Sequence, residues 1–170
     1  MLNYKIQKGV GLVEVLVALI VLALGVLGYT ALQLRAVDAS GEALVKSQAI
    51  LVMRGLTESI RANESGQGSY PAAVQSYVGI TPTTVAPRTC LNQTCTPAQM
   101  ATFDAFVSAR AAQNVGIQMT MVGCPGTSGR RQCLFAAWDD TQLQATTFAQ
   151  CMGANGVYVA GAKCVMMEAY

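Results

Sequence analysis

Polar and apolar positions change rhythm along the chain. From Val15 to Leu34, twenty residues run without a charge, VLVALIVLALGVLGYTALQL, and Gln33 is their only strongly polar side chain. At 1.5 Å per residue such a helix spans about 30 Å, the thickness of a bilayer hydrocarbon core. From Arg35 to Ala62 the pattern turns amphipathic. Val45, Ala49, Val52, Leu56 and Ile60 recur at spacings of three and four, with Asp38, Glu42, Lys46, Glu58 and Arg61 around the stripe. Glu42 and Lys46 form an i,i+4 pair in the favourable order. No proline interrupts these residues, so the two halves read as one helix from about Val10 to Ala62, about 80 Å long. Asn63–Gly68 ends it, with Gly66 placed to serve as a left-handed cap. The competing arrangement is a membrane helix and a separate core helix, broken near Gly41.

Residues 63–95 read as an irregular crossover, punctuated by Pro71, Pro82 and Pro87. Thr96-Pro-Ala-Gln99 then has the makings of a helix start: Thr96 as N-cap, proline in the first turn, Gln99 closing a capping box. Met100, Phe103, Phe106, Val107 and Ala111 give that helix one apolar face. Three strands are predicted after it. Val115–Val122 and Leu134–Trp138 flank a Pro-Gly-Thr-Ser-Gly-Arg-Arg turn, and Gly156–Met167, with Val157-Tyr158-Val159, supplies the third. The fold class is α+β: a long N-terminal helix packed on a small antiparallel sheet.

Composition narrows the functions open to such a chain. Its 170 residues carry 11 Lys+Arg, 9 Asp+Glu and no histidine. Charged residues are 12% of the chain, the apolar share is 52%, and the mean hydropathy is +0.38. Apolar surface is plentiful enough to fold, which excludes disorder as the main state. A net charge of +2 gives no electrostatic case for nucleic acid as a partner. Without histidine the usual general base and the commonest metal ligand are missing, and no catalytic constellation or cofactor site emerges.

Lys5 and Lys8 precede the apolar span, and no basic residue follows Gly9 until Arg35, which places the N-terminus in the cytoplasm. The span is too long for a cleaved secretory signal and lacks an A-x-A site at its far end. A plain signal anchor would fit, but for Glu14, the only charge between Val10 and Leu34. A carboxylate costs about 2.5–3.5 kcal/mol at the centre of a spanning helix and less near its end, so it calls for a partner charge. Cleavage after Gly9 would create one. The α-amino group of Val10 would lie one helical turn from Glu14, on the same face, or would reach Glu14 of a neighbouring subunit.

Lys8-Gly9-Val10-Gly11-Leu12-Val13-Glu14-Val15, followed by the apolar helix, resembles the prepilin signal of type IV pilins and type II secretion pseudopilins. The run V-G-L-V-E-V-L-V-A-L-I-V-L-A-L-G-V-L-G is most similar to the minor pilin family called PilV. The resemblance implies a leader at residues 1–9, an apolar membrane and fibre half at 10–34, and a head at 35–170. It also implies cutting between Gly9 and Val10 by the prepilin peptidase, N-methylation of Val10 and an assembly role for Glu14. Partners implied are other minor pilins, the major pilin and the inner-membrane assembly platform. The location implied is the inner membrane, single-pass with the head in the periplasm, and then the cell-surface pilus. The implied role is to prime pilus assembly, supporting twitching motility and adhesion. Loss of Lys5 and Lys8 with the leader leaves nine basic against nine acidic side chains, a neutral subunit. Three rivals remain: a type II secretion pseudopilin, a membrane-anchored periplasmic binding module with its first nine residues retained, and an anchored enzyme, against which the absence of any acid–base or nucleophile arrangement weighs.

All six cysteines, Cys90, Cys95, Cys124, Cys133, Cys151 and Cys164, follow the apolar span. An even number on the outer side of a membrane points to disulfides. Six cysteines allow fifteen pairings. Neighbouring pairs each bracket a turn, so the expected set is sequential: Cys90–Cys95, Cys124–Cys133 and Cys151–Cys164. The last would tie down the C-terminal strand, as a comparable loop does in many pilins. Asn63-Glu-Ser65 and Asn92-Gln-Thr94 match a glycosylation sequon by chance composition. Arg130-Arg131 reads as a solvated turn and Asp139-Asp140 as a turn at a strand end.

Overall fold

The computed structural model describes Gly9, residues 11–127 and residues 130–170. Helix α1 runs over Leu12–Ala62, 51 residues without a break, and passes through Gly41. The chain divides into two compact units at Glu42/Ala43. Among the described residues of the first, α1 is the only element and every residue is exposed.

The second unit holds the rest. After α1 come a 3-10 turn over Glu64–Ser69, helix α2 at Tyr70–Gln75, helix α3 at Pro97–Gln113, and strands β1 (Gln118–Gly123), β2 (Gln132–Ala137) and β3 (Cys164–Glu168). The strands form one antiparallel sheet in the order β1-β2-β3. Met121 pairs with Leu134, and Leu134 with Met167.

Both faces of the sheet are covered, so β1 and β2 are buried almost throughout rather than at alternate positions. On one face Met119, Met121, Leu134 and Ala136 meet Ala49, Met53, Leu56 and Ile60 of α1, together with Tyr70, Val74 and the alanines of α3. The predicted stripe of α1 is thus the buried one for Ala49, Leu56 and Ile60, with Met53 and Thr57 added to it and Val45 and Val52 half-buried at its edge. The other face is covered by the long connection between β2 and β3. Leu143, Cys151 and Met152 pack there on Phe135 and Ala137, and the Phe148 ring stacks on Phe135 at 4.3 Å. The Thr120 hydroxyl, buried between them, donates to the Ala145 carbonyl at 2.6 Å.

Four expectations need correction. Gly66 is not a left-handed cap: it lies within the 3-10 turn, outside the positive-φ set, and the Asn63 carboxamide occupies the space a Cβ would need. Residues 63–95 are not wholly irregular, because Pro71 starts α2 instead of breaking the chain. Helix α3 does begin with the Thr96–Gln99 capping box, but it buries Ala101, Ala105, Ala109 and Ala112 rather than its aromatic side. Small residues let it lie close against its neighbours, while Phe103 and Phe106 are half-buried and Val107 is exposed. Finally, Val157-Tyr158-Val159 lies outside the sheet. Gly156 and Gly161 turn the chain at φ 81° and 78°, leaving only an isolated bridge between Tyr158 and Met152, and β3 starts at Cys164.

The connection before α3 is fastened from several sides. Arg110 of α3 donates to the carbonyls of Thr81 (2.7 Å) and Thr84 (3.0 Å) while its guanidinium lies 5.2 Å from the Phe106 ring centre. Arg88 Nε donates to Gln93 Oε1, and a disulfide joins Cys90 to Cys95.

Candidate functional site: the N-terminal helix and the head it carries

The first turn of α1 is set by Gly11, whose carbonyl accepts from the backbone N–H of Glu14 at 3.0 Å and of Val15 at 3.3 Å. Glu14 therefore sits where the exposed N–H groups of a helix favour a carboxylate. Its side chain has no hydrogen-bond or ion-pair partner among the described residues. Gly9 is exposed. Val10, the other half of the predicted cleavage and methylation site, lies outside the described residues, as do Lys5 and Lys8.

Beyond Glu14 the helix shows bare hydrocarbon on all sides. Leu16, Leu19, Ile20, Leu22, Leu24 and Leu27 are between 51% and 65% exposed. Each such side chain left in water forgoes about 1.5–3 kcal/mol of burial free energy, so this half is built for lipid or for other apolar helices. Its polar groups are arranged for the same surroundings. The Thr30 hydroxyl donates to the Leu27 carbonyl at 2.9 Å, as that of Ser40, beyond the apolar run, does to Val37, so neither needs water.

The head is tied by Cys90–Cys95, Cys124–Cys133 and Cys151–Cys164, with no free cysteine among the described residues. No three His, Cys, Asp or Glu side chains gather as a metal site among those residues. Asn63 is engaged inside the fold, donating to the Tyr70 hydroxyl at 3.3 Å and the Pro97 carbonyl at 2.8 Å. Asn92 is exposed. Of the two arginines read as a solvated turn, Arg131 reaches Glu168 of β3 at 3.2 Å. Asp139, at φ 53°, forms the predicted turn and meets Lys163 at 2.8 Å.

Sequence reasoning missed the polar joints that lock helices to sheet. The buried Tyr70 hydroxyl donates to Asp104 Oδ2 at 2.6 Å and lies 3.3 Å from the Ser59 carbonyl, linking α1, α2 and α3. Burial and the Asp104 carboxylate beside it hold the phenol far above its ordinary pKa. Gln75 of α2 donates to the Met121 carbonyl at 2.8 Å, covering the outer edge of β1.

Two family models match adjoining stretches of the chain. The prokaryotic N-terminal methylation motif matches residues 4–30, and the model described as type IV pilin Tt1218 matches residues 31–106. No curated protein and no solved structure matches the chain.

Proposed function

Since the chain is a type IV pilin with a prepilin-type signal, we propose that it is a minor pilin of the PilV kind, a structural subunit that helps to prime pilus assembly. A prepilin-type signal implies processing by the prepilin peptidase and assembly with other pilins. In this reading the peptidase cuts between Gly9 and Val10, Val10 is methylated, and its amine meets Glu14 within the subunit or across to a neighbour. The chain first spans the inner membrane with its head in the periplasm. It is then drawn into the fibre as α1 exchanges lipid for the apolar helices of other subunits. The observation that carries this reading is the combination in α1 of an uncovered apolar surface with Glu14, the one charge in that apolar run, which lies in the first turn and has no partner among the described residues. Twitching motility and adhesion would follow from fibre assembly, and a structural role leaves no chemistry for an active site to perform.

Mass spectrometry of the N-terminus, from membranes and from sheared surface fibres, tests the proposal. A methylated Val10 in fibres is the expected result. The same processed end confined to membranes would favour a type II secretion pseudopilin, and an intact Met1 in both fractions would refute the proposal. Glu14→Ala should leave the membrane level of the protein unchanged and remove it from sheared fibres; normal incorporation of that variant would end the argument from Glu14.

A further inference from the structure

The two edges of the sheet are guarded unequally. At β1, α2 packs alongside and Gln75 occupies the outward carbonyl of Met121. At β3 no further strand or helix is paired on the outer side among the described residues. The bonds Trp138 N–H to Lys163 carbonyl and Ala169 N–H to Gln132 carbonyl fix the register, so residues 163, 165, 167 and 169 face β2. Backbone groups of Cys164, Met166 and Glu168 therefore point outward. The strand, Cys-Val-Met-Met-Glu, has neither the lysine nor the proline that commonly blunts an exposed edge. Its central outward N–H, that of Met166, is held by one side chain alone: it donates to the Tyr158 hydroxyl at 3.1 Å. Tyr158 is 48% exposed, between Val157 and Val159, which are also exposed.

Beside the same edge, on the side facing α1, opens a cleft of about 390 Å³ lined by Arg54, Thr57, Glu58, Arg61, Met167 and Glu168. Arg61 is paired with Glu58 at 2.8 Å, and Glu168 with Arg131 at 3.2 Å. Arg54 has no ion pair or hydrogen bond among the described residues, because Glu58 is taken by Arg61 and Glu168 by Arg131, so its guanidinium is the one unpaired charge lining the cleft.

We propose that the outer edge of β3 accepts an extended strand from the head of a neighbouring pilin, that Tyr158 latches this edge until the strand arrives, and that the strand carries an acidic side chain for Arg54. The proposal rests on the pilin reading for the source of its partner. A strand laid along β3 takes up the outward N–H and C=O groups of Cys164, Met166 and Glu168, displacing the Tyr158 hydroxyl. Its alternate side chains fall on two sides. One set enters the cleft, where a carboxylate neutralises Arg54. The other covers the apolar surface of Val157 and Val159.

The test uses the full chain in fibre-forming cells, with a photoreactive p-benzoylphenylalanine in place of Val157. Fibres are sheared, irradiated, and the attached peptide is sequenced. The expected attachment is to an extended, Asp- or Glu-bearing segment of another pilin head. Arg54→Glu should cut its yield roughly tenfold, the effect of about 1.4 kcal/mol, and Tyr158→Phe should raise it. Met166→Pro removes the outward N–H without touching the β2 ladder and should also lower the yield. The milder Tyr158→Phe keeps the test decisive if the proline variant misfolds. Attachment to a helical segment, to lipid or to nothing, or a yield indifferent to Arg54→Glu and Tyr158→Phe, overturns the inference while the chain is present in fibres. Absence of the unsubstituted chain from fibres overturns the pilin reading and this inference with it.

Discussion

Removing the disulfides one pair at a time separates two sources of stability in the head. The loops they close have sequence separations of 5, 9 and 13. Loop closure in the unfolded chain alone is then worth about 2, 2.6 and 2.9 kcal/mol at 25 °C, so entropy ranks the three within about 1 kcal/mol. Burial ranks them further apart. Cys90 and Cys95 are half-exposed, whereas Cys151 is fully buried and Cys164 is 8% exposed, both within the cluster around Phe135 and Met152. Replacing the latter two by alanine empties the space of two buried sulfurs, each about as costly as a methylene at about 1 kcal/mol. Cys151→Ala with Cys164→Ala should therefore cost about 4–5 kcal/mol, and Cys90→Ala with Cys95→Ala about 2. For a chain of this size the gap of about 2.5 kcal/mol corresponds to about 5–10 °C in Tm. Thermal unfolding of the detergent-solubilised chain, followed by circular dichroism without reductant, measures it. Equal losses for the two double variants, or a larger loss for the Cys90–Cys95 pair, would refute the assignment of the extra stability to packing.

Three further outcomes can be measured on the same preparation. Tyr70→Phe should lose about 1.5–3 kcal/mol, the worth of a hydrogen bond to a charged group, and Asp104→Asn should add little in that background; fully additive losses would show the pair is not coupled. The raised pKa of Tyr70 gives this link a pH dependence. Unfolded tyrosine ionises near pH 10 while the folded phenol keeps its proton to higher pH, so its contribution is intact below about pH 10 and is lost as pH rises above it. Urea titrations at pH 8.5 and 11 should show that fall in the native protein, and show it reduced in Tyr70→Phe. Thr96→Ala, which opens the capping box of α3, should cost about 1 kcal/mol, and an unchanged midpoint would mean that α3 is held by packing alone.

The sequence disclosed those features whose causes are local. An uncharged run, a stripe at helical spacing and the Thr96–Gln99 box each depend on residues within a few positions, and all three stand in the structure. What stayed hidden depends on partners far along the chain. Tyr70 and Asp104 are 34 residues apart, and Gln75 and Met121 are 46 apart, so no short pattern marks either pair. The face of α3 misled because size was taken for burial. Where a helix packs closely on others the small side chains go inward, and Phe103 and Phe106 are left half-covered. Val157-Tyr158-Val159 has strand-like composition, but the glycines beside it turn the backbone away from the sheet. For the site itself, Glu14 was legible because a charge stands out in an apolar run, whereas the open edge of β3 exists only once the strand order is known.

The fastenings of the segment before α3 bear on how this protein can vary. Arg110 holds backbone carbonyls, Thr81 and Thr84, not side chains, and so is indifferent to which residues follow them. Six residues on, the Cys90–Cys95 staple closes a small loop that contributes nothing to either core cluster. Val85, between these anchors, is 87% exposed, and Leu91, inside the stapled loop, is 79% exposed. The stretch behaves as a cassette: its contents can drift, lengthen or be exchanged while both ends stay docked. Sequence divergence among relatives should gather there, and an epitope tag placed between Val85 and Pro87 should be displayed without disturbing the sheet behind it.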